Sequence, residues 1–244
     1  MAEADVRPPT RPGREPVAPR RRRAARLAGV LLDVDGTLVD SNDAHARAWV
    51  ETLAEYGYQV RFIRIRPLIG MGGDKLLCKV AGVDVDSAEG RSIERRRQEI
   101  FAERELPHLQ PCRGARALVQ HIRDEGLTIV VASSAKADEL RPLLERAQVA
   151  DLIAVATSSD DAERSKPDPD IVRAALQRGG FSADRTVMIG DTPYDLEAAA
   201  RSHVPLIALR RGGWDDDALR GAVAIYDDPL DLLAHYDSSP LGAR

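Results

Sequence analysis

The stretch Leu31-Leu32-Asp33-Val34-Asp35-Gly36-Thr37-Leu38-Val39-Asp40 decides how the rest of the chain is read. An apolar run, Val30 to Leu32, leads straight into two carboxylates at positions i and i+2. On an extended strand that spacing puts both side chains on one side of the pleat. Gly36 lets the backbone turn sharply, as it must where a chain passes close to a ligand. Two acids together at a strand end repel and raise each other's pKa, unless a cation lies between them or one keeps its proton. Asp33 and Asp35 are therefore read as sharing a hard divalent ion and doing different jobs. A bare D-x-D is more often a solvated acidic turn, so the reading depends on the rest of the chain.

From Leu27 onward, strand-like and helix-like pieces alternate. After the first strand the pattern predicts helices over Asp43–Tyr56, Asp74–Ala81 and Ala88–Glu103, with only Val60–Ile65 as a strand candidate before Pro111. Further on it predicts helices at Gly114–Glu125, Ala137–Ala147, Asp168–Arg178, Pro193–Ser202 and Pro229–His235. Between them lie strands at Leu127–Ala132, Leu152–Ala156, Thr186–Ile189, Leu206–Leu209 and Val223–Ile225. Strands separated by helical crossovers argue an α/β fold with a doubly wound parallel sheet. The helical stretch 41–110 is expected to be an inserted all-helical cap domain on a core made of 27–40 and 111–238. An Arg/Pro-rich tail, 1–26, and a short tail, 239–244, are expected to be disordered.

In such sheets ligands bind beyond the carboxyl ends of the strands. Asp33 and Asp35 stand at the first of these ends, and Ser133 and Ser134 follow Thr128–Ala132. Arg164-Ser165-Lys166-Pro167-Asp168-Pro169 follows the strand at Leu152–Ala156, and Gly190-Asp191-Thr192-Pro193-Tyr194-Asp195 follows Thr186–Ile189. Each alone has a bland reading: serine and aspartate cap helices, and lysine beside proline is usually a solvated loop. Together on one rim they make a set complete for phosphoryl transfer. A carboxylate attacks phosphorus, a second one gives and takes a proton, and oxygen ligands suit Mg²⁺. A hydroxyl and an ammonium offset the charge of the transition state.

With these motifs in view (DVDGTLVD, VVASSAK, SKPDPD and GDTPYDLEAA), the sequence resembles the haloacid dehalogenase-like hydrolase superfamily from Leu27 to about His235. The insertion looks like the helical cap of its phosphoglycolate phosphatase and β-phosphoglucomutase branch, and His45 with Trp49 is similar to that branch's HxxxW. The resemblance implies Asp33 as nucleophile and Asp35 as general acid and base, with Ser133 and Lys166 holding the phosphoryl group. It implies Mg²⁺ bound by Asp33, the Asp35 carbonyl and Asp191, with Asp195 supporting the metal's water shell. Substrate contacts are expected from Ser134, His45, Gly72 and Gly73, the last two in a pliant loop, Ile69–Gly73, over the site. Asp35 argues against a dehalogenase. Lys75 and Lys79 read as helix-surface residues, which argues against a Schiff-base phosphonatase. A phosphomutase is the nearest rival, yet Ile69–Gly73 has no arginine for a second phosphate and Asp195 supplies a second acid in the fourth motif.

The resulting expectation is a Mg²⁺-dependent phosphatase acting on a small phosphate ester. A non-catalytic polyanion-binding protein, docking through Arg20 to Arg23, is the reading from a different class. The net charge of −4 gives no whole-chain signal for nucleic acid. No apolar run is long enough to span a bilayer. Cys78 and Cys112 have no metal-ligand spacing, and the absence of a disulfide framework points to a reducing cytoplasm. A monomer is the working expectation.

Overall fold

The structure, a computed structural model, describes residues 26–242. Six strands form one sheet in the order β3-β2-β1-β4-β5-β6, with every pairing parallel. They are β1 (Gly29–Leu32), β2 (Thr128–Ala132), β3 (Val155–Thr157), β4 (Thr186–Gly190), β5 (Leu206–Leu209) and β6 (Ala224–Tyr226). Parallel neighbours need crossovers, and helices supply them: α5 (Ala115–Asp124), α6 (Ala137–Arg146), α7 (Asp170–Gly179) and α8 (Pro193–Arg201), with α9 (Pro229–Ala234) after β6.

The two-residue period of a strand sorts the core into two layers. Val30, Leu32, Val131, Ile189 and Ile207 face one side, where they pack with Leu118, Ile122, Leu143 and Leu232. Leu31, Val130, Met188 and Leu206 face the other side, with Ile171, Val172, Ala198 and Ala199. Leu31, Leu32, Val130 and Met188 are wholly buried, so truncating any of them to alanine costs about 2–5 kcal/mol. Strands covered on both faces read as unbroken apolar runs, which is why GVLL, TIVVA and TVMIG were recognisable.

Between β1 and α5 the described chain is helical: α1 (Asn42–Glu55), α2 (Phe62–Ile65), α3 (Gly73–Ala81) and α4 (Ala88–Ile100), with a π-helical turn at Phe101–Glu105. This insert has an apolar centre of its own, including Trp49, Leu53, Ile65, Leu76, Leu77 and Ile93. The two segments that join it to the sheet are bonded to each other: Asp40 N–H donates to the Gln110 carbonyl at 3.0 Å and Cys112 N–H to the Leu38 carbonyl at 2.9 Å.

Three expectations need correction. Val60–Ile65 is no strand: Phe62–Ile65 is a helical turn with Phe62 and Ile63 exposed, so its apolar run serves no sheet. The third strand begins at Val155, because Leu152 packs into the core ahead of it without pairing. Residues 239–242 are packed, not a disordered tail: Ser239 and Leu241 are buried, and Leu241 fills the layer that holds Leu232 and Tyr236. The tail expected at 1–26 lies outside the described residues except for Arg26.

Candidate active site

Sheet register assembles the site. Leu32 stands opposite Val131 on one side and Ile189 on the other. Asp33, Ser133 and Asp191, the first residues past β1, β2 and β4, emerge together at the carboxyl edge, and Asp33 N–H is fixed to the Ile189 carbonyl at 3.0 Å. Lys166, on the loop after β3, is 1% exposed despite its charge. Its ammonium donates to Asp33 Oδ1 at 2.5 Å and pairs with Asp195 Oδ1 at 2.7 Å. A buried ammonium needs such partners, because desolvating it alone would cost several kcal/mol.

Asp33, Asp191 and Asp195 each bring a carboxylate oxygen within 4.8 Å of the others. The cluster holds more negative charge than Lys166 cancels. Burial pushes the Asp33 carboxyl up to about 7, with Asp195 adding to the push and Lys166 opposing it. Burial and the Asp33 charge move Asp191 upward too. Asn42 donates to Asp191 Oδ2 at 2.7 Å, which leaves Asp191 Oδ1 buried with no hydrogen-bond partner among the described residues. An all-oxygen set with a carboxylate oxygen left over fits a hard divalent cation. Asp195 is committed elsewhere as well: its Oδ2 accepts from Thr192 N–H and Oγ in the cap of α8. The glycines permit this crowding. Gly36 has φ 73°, and a Cβ there would fall 1.9 Å from Asp191 Oδ2 and 2.2 Å from Asn42 Nδ2.

Asp35 is set apart from this trio. Its Oδ1 accepts from Ser41 Oγ and lies 2.8 Å from His45 Nε2. Burial works to raise Asp35, but the His45 charge and hydrogen bond, with that of Ser41, hold it below the ordinary carboxylate value. Burial likewise opposes charge on His45, and Asp35 outweighs it, so the imidazole is raised above its ordinary value. The His45 ring stacks on Phe101 at 4.0 Å, which fixes its plane. Ser41 stands at the start of α1 but makes no side-chain cap, since its hydroxyl is given to Asp35.

These groups border a cavity of about 580 Å³ roofed by the insert. Asp33, Asp35, His45, Trp49, Gly72, Gly73 and Ser134 all line it. Ser134 Oγ is buried without a partner among the described residues, whereas Ser133 is fully buried behind the wall and its Oγ accepts from Ala135 N–H at 3.0 Å. The loop over the site is less pliant than its glycines suggest. Gly72 caps α3 and Gly73 begins it. A Cβ on Gly70 would lie 2.7 Å from Thr192, and one on Gly72 would lie 2.1 Å from Ser165. Glycine is there for close approach.

Several groups escaped the sequence reading. Ser41 and Asn42 follow the first motif directly and could have been suspected from that position. Arg91, Arg95, Arg97 and Lys136 line the cavity. The missing arginine in Ile69–Gly73 is therefore not an absence of arginine from the cavity, and that argument against a mutase lapses. Arg97 is itself engaged, by Glu94 at 3.0 Å and by Glu139 of α6 at 2.9 Å. Lys75 is no free surface residue: it reaches Asp168 at 2.6 Å.

Residues 30–209 match the family of haloacid dehalogenase-like hydrolases. The chain belongs to that family. It is 30% identical over 216 residues to N-acetylmuramic acid 6-phosphate phosphatase of Pseudomonas aeruginosa, covering 85% of this chain and 94% of that one. It is 29% identical over 208 residues to phosphoglycolate phosphatase of Rhodospirillum rubrum, covering 82% and 86%. A hydrolase from Pseudomonas syringae superposes with a TM-score of 0.78 at 30% identity, over 86% of this chain and 98% of that one. CbbY from Rhodobacter sphaeroides, solved with phosphate, shares the fold alone, at 23% identity and a TM-score of 0.71 over 84% and 96%. No helix among the described residues is long and apolar enough to cross a membrane.

Proposed function

We propose that this hydrolase is a Mg²⁺-dependent phosphatase of small phosphorylated metabolites, working through an aspartyl phosphate on Asp33. One observation carries the reading: Asp33 opens onto the cavity with Lys166 bonded to one of its oxygens and a second, differently held acid, Asp35, beside it. An Asp33 oxygen attacks phosphorus as the ester P–O bond breaks. The leaving oxygen takes a proton from Asp35, whose proton reserve in the resting pair lies on His45. Asp35, as base, then removes a proton from the water that attacks the phosphorus of the aspartyl phosphate. Phosphate leaves and the Asp33 carboxylate is restored. Lys166 offsets charge on the transferring group, and Ser134, at the end of β2, holds its oxygens while Ser133 braces the turn behind it.

Asp33, Asp191 and the Asp35 carbonyl would hold the metal, with Asp195 supporting its water shell. When bound, the cation neutralises phosphoryl charge that Lys166 alone does not. Residues 41–110 act as a cap that limits water at the aspartyl phosphate and selects substrates with Trp49, His45, Gly72 and Gly73. Phosphoglycolate and sugar phosphates are the substrate classes to try first, given the relatives that act on such esters. The test is phosphate release from a panel of phosphorylated metabolites and an aryl phosphate, with and without Mg²⁺, beside an Asp33→Asn control. Phosphate exchange between positions of a sugar without net release would favour a mutase. Activity unchanged in chelated buffer would remove the metal from the reading.

A further inference from the structure

Lys166 is held inside the site by Asp33 and Asp195, but the residues flanking it are held from the insert. Ser165 Oγ donates to Asp74 Oδ1 at 2.5 Å. Lys75 Nζ donates to the Ser165 carbonyl at 2.5 Å and to Asp168 Oδ2 at 2.6 Å. Asp74 and Lys75 both belong to the first turn of α3, and Gly72 at its cap lets that turn approach Ser165. Three hydrogen bonds from one helical turn thus converge on positions 165 and 168 of one short loop. Asp168 is also tied to Arg201 at 3.0 Å, so the far end of the loop is anchored to the core as well. Asp74 and Ser165 border the cavity and Lys75 does not.

We propose that Asp74 and Lys75 form a clamp that positions Lys166, so that the ammonium is aligned only while the insert rests on the core. The proposal rests on the reading of Lys166 as the cation that serves the phosphoryl group. A lysine side chain has many rotamers, and its head is placed no better than the backbone that carries it. A loop pinned on both sides of Lys166 has little freedom to shift. Released from α3, it keeps the core anchor at Asp168 and loses the bonds at Ser165. Misplacing a catalytic group by about 1 Å can cost on the order of 100-fold in rate. Seating the insert would then complete the catalytic set as well as cover it. Asp74 and Lys75 are positioning residues, acting through Ser165 and Asp168.

The test uses the full chain with Mg²⁺ and an aryl phosphate. Lys75→Met should lower kcat about 10-fold and change KM less than about two-fold, the pattern of an interaction felt in the transition state. In a Lys166→Ala background the same change should cost less than about two-fold, because the group being positioned is gone. An equal loss in both backgrounds would mean general docking, and a rise in KM alone would mean substrate contact; either overturns the clamp, as does unchanged kcat in Lys75→Met. Hydrogen exchange across residues 163–173 reads the same idea without turnover. It should quicken in Lys75→Met and in the milder Asp74→Asn, and unchanged exchange in both would sink the proposal. If the native protein releases no phosphate from any ester, the functional reading fails, and the exchange result still decides whether α3 holds the loop.

Discussion

Two clusters of charge adjoin one cavity, and they are composed differently. At the strand ends, Asp33, Asp191 and Asp195 surround the single ammonium of Lys166. On the wall shared by α4 and α6, Glu94 and Glu139 flank Arg97, with Lys136 at 4.0 Å from Glu94. The second cluster is near balance, and Arg97 is further braced against the rings of Trp49 and Phe101 at 5.8 and 5.9 Å. Burial opposes its charge, but Glu139 and Glu94 raise its pKa all the same. The first cluster is in surplus, with Asp33 raised to about 7. A balanced cluster joins one part of the molecule to another. A surplus one stores repulsion that a cation or a phosphoryl transfer can relieve.

The largest expected effect breaks the comparison at Asp33. Asp33→Asn should reduce kcat by at least about 1000-fold, since no other group on the rim replaces a lost covalent nucleophile. Its melting temperature should hold or rise, because one of three repelling carboxylates is gone. Normal turnover by the purified variant would remove Asp33 as nucleophile, and a large loss of stability would mean that the cluster is not in surplus.

Arg97→Met should act in the opposite sense, on stability first. It leaves Glu94 and Glu139 buried without their shared counter-charge, a change that costs about 3–5 kcal/mol. Adding Glu94→Gln and Glu139→Gln should recover most of that loss. Urea unfolding measures both. A single-variant cost below about 1 kcal/mol would show that water reaches this wall and that the pairs behave as surface ion pairs.

The two clusters were unequally legible. The strand-end acids could be read because each follows an apolar run, and a parallel sheet brings such ends to one rim whatever lies between. Lys166 is separated from β3 by a polar loop, and it was the SKPDPD motif that marked it. The cluster on α4 and α6 was not legible, nor was the clamp on the Lys166 loop: Arg97 finds Glu139 across 42 residues and Lys75 finds Asp168 across 93, and no local pattern marks either pairing. Lys75 looked like a surface lysine because its helix turn is polar and its partner belongs to another element. Leu152 and Leu241 misled in opposite ways. The first is apolar yet stands ahead of a strand, and the second follows a polar end yet plugs the core.

Metal ion should distinguish the clusters more gently. At about 100 times its dissociation constant, Mg²⁺ would stabilise the folded chain by about 2.7 kcal/mol, and Asp191→Asn should abolish that thermal shift. The pH dependence follows from the raised carboxyl. Asp33 titrates at about 7 in the fold against 3.8 when exposed, so the folded state binds the extra proton between those values. Without metal, this group's contribution to stability falls as pH rises through that window. The Mg²⁺ shift should therefore grow from about pH 5 to about pH 8, as the ion stops competing with protons. A shift that shrinks with rising pH would place the ion elsewhere.

The smallest effects should come from two adjacent glycines that face the two walls. A Cβ on Gly72 would fall 2.1 Å from Ser165 Cβ and 2.3 Å from Asp74 Oδ1, against the loop that carries Lys166. A Cβ on Gly73 would fall 3.0 Å from Glu94 Oε2 and 3.1 Å from Trp49, where neighbours need yield only a few tenths of an ångström. Neither change is a backbone problem, since Gly72 has φ −65° and Gly73 is helical. Gly72→Ala should therefore lower kcat for every ester by a similar factor, because it pushes the insert off the loop. Gly73→Ala should leave an aryl phosphate within about two-fold and reorder bulkier metabolites by about three- to ten-fold in kcat/KM, since one methyl in a pocket is worth roughly 1 kcal/mol. Ranking a substrate panel with both variants gives the answer. Uniform losses in both would mean that the α4 wall serves closure only, and reordering by Gly72→Ala would move substrate choice to the wall that holds Ser165.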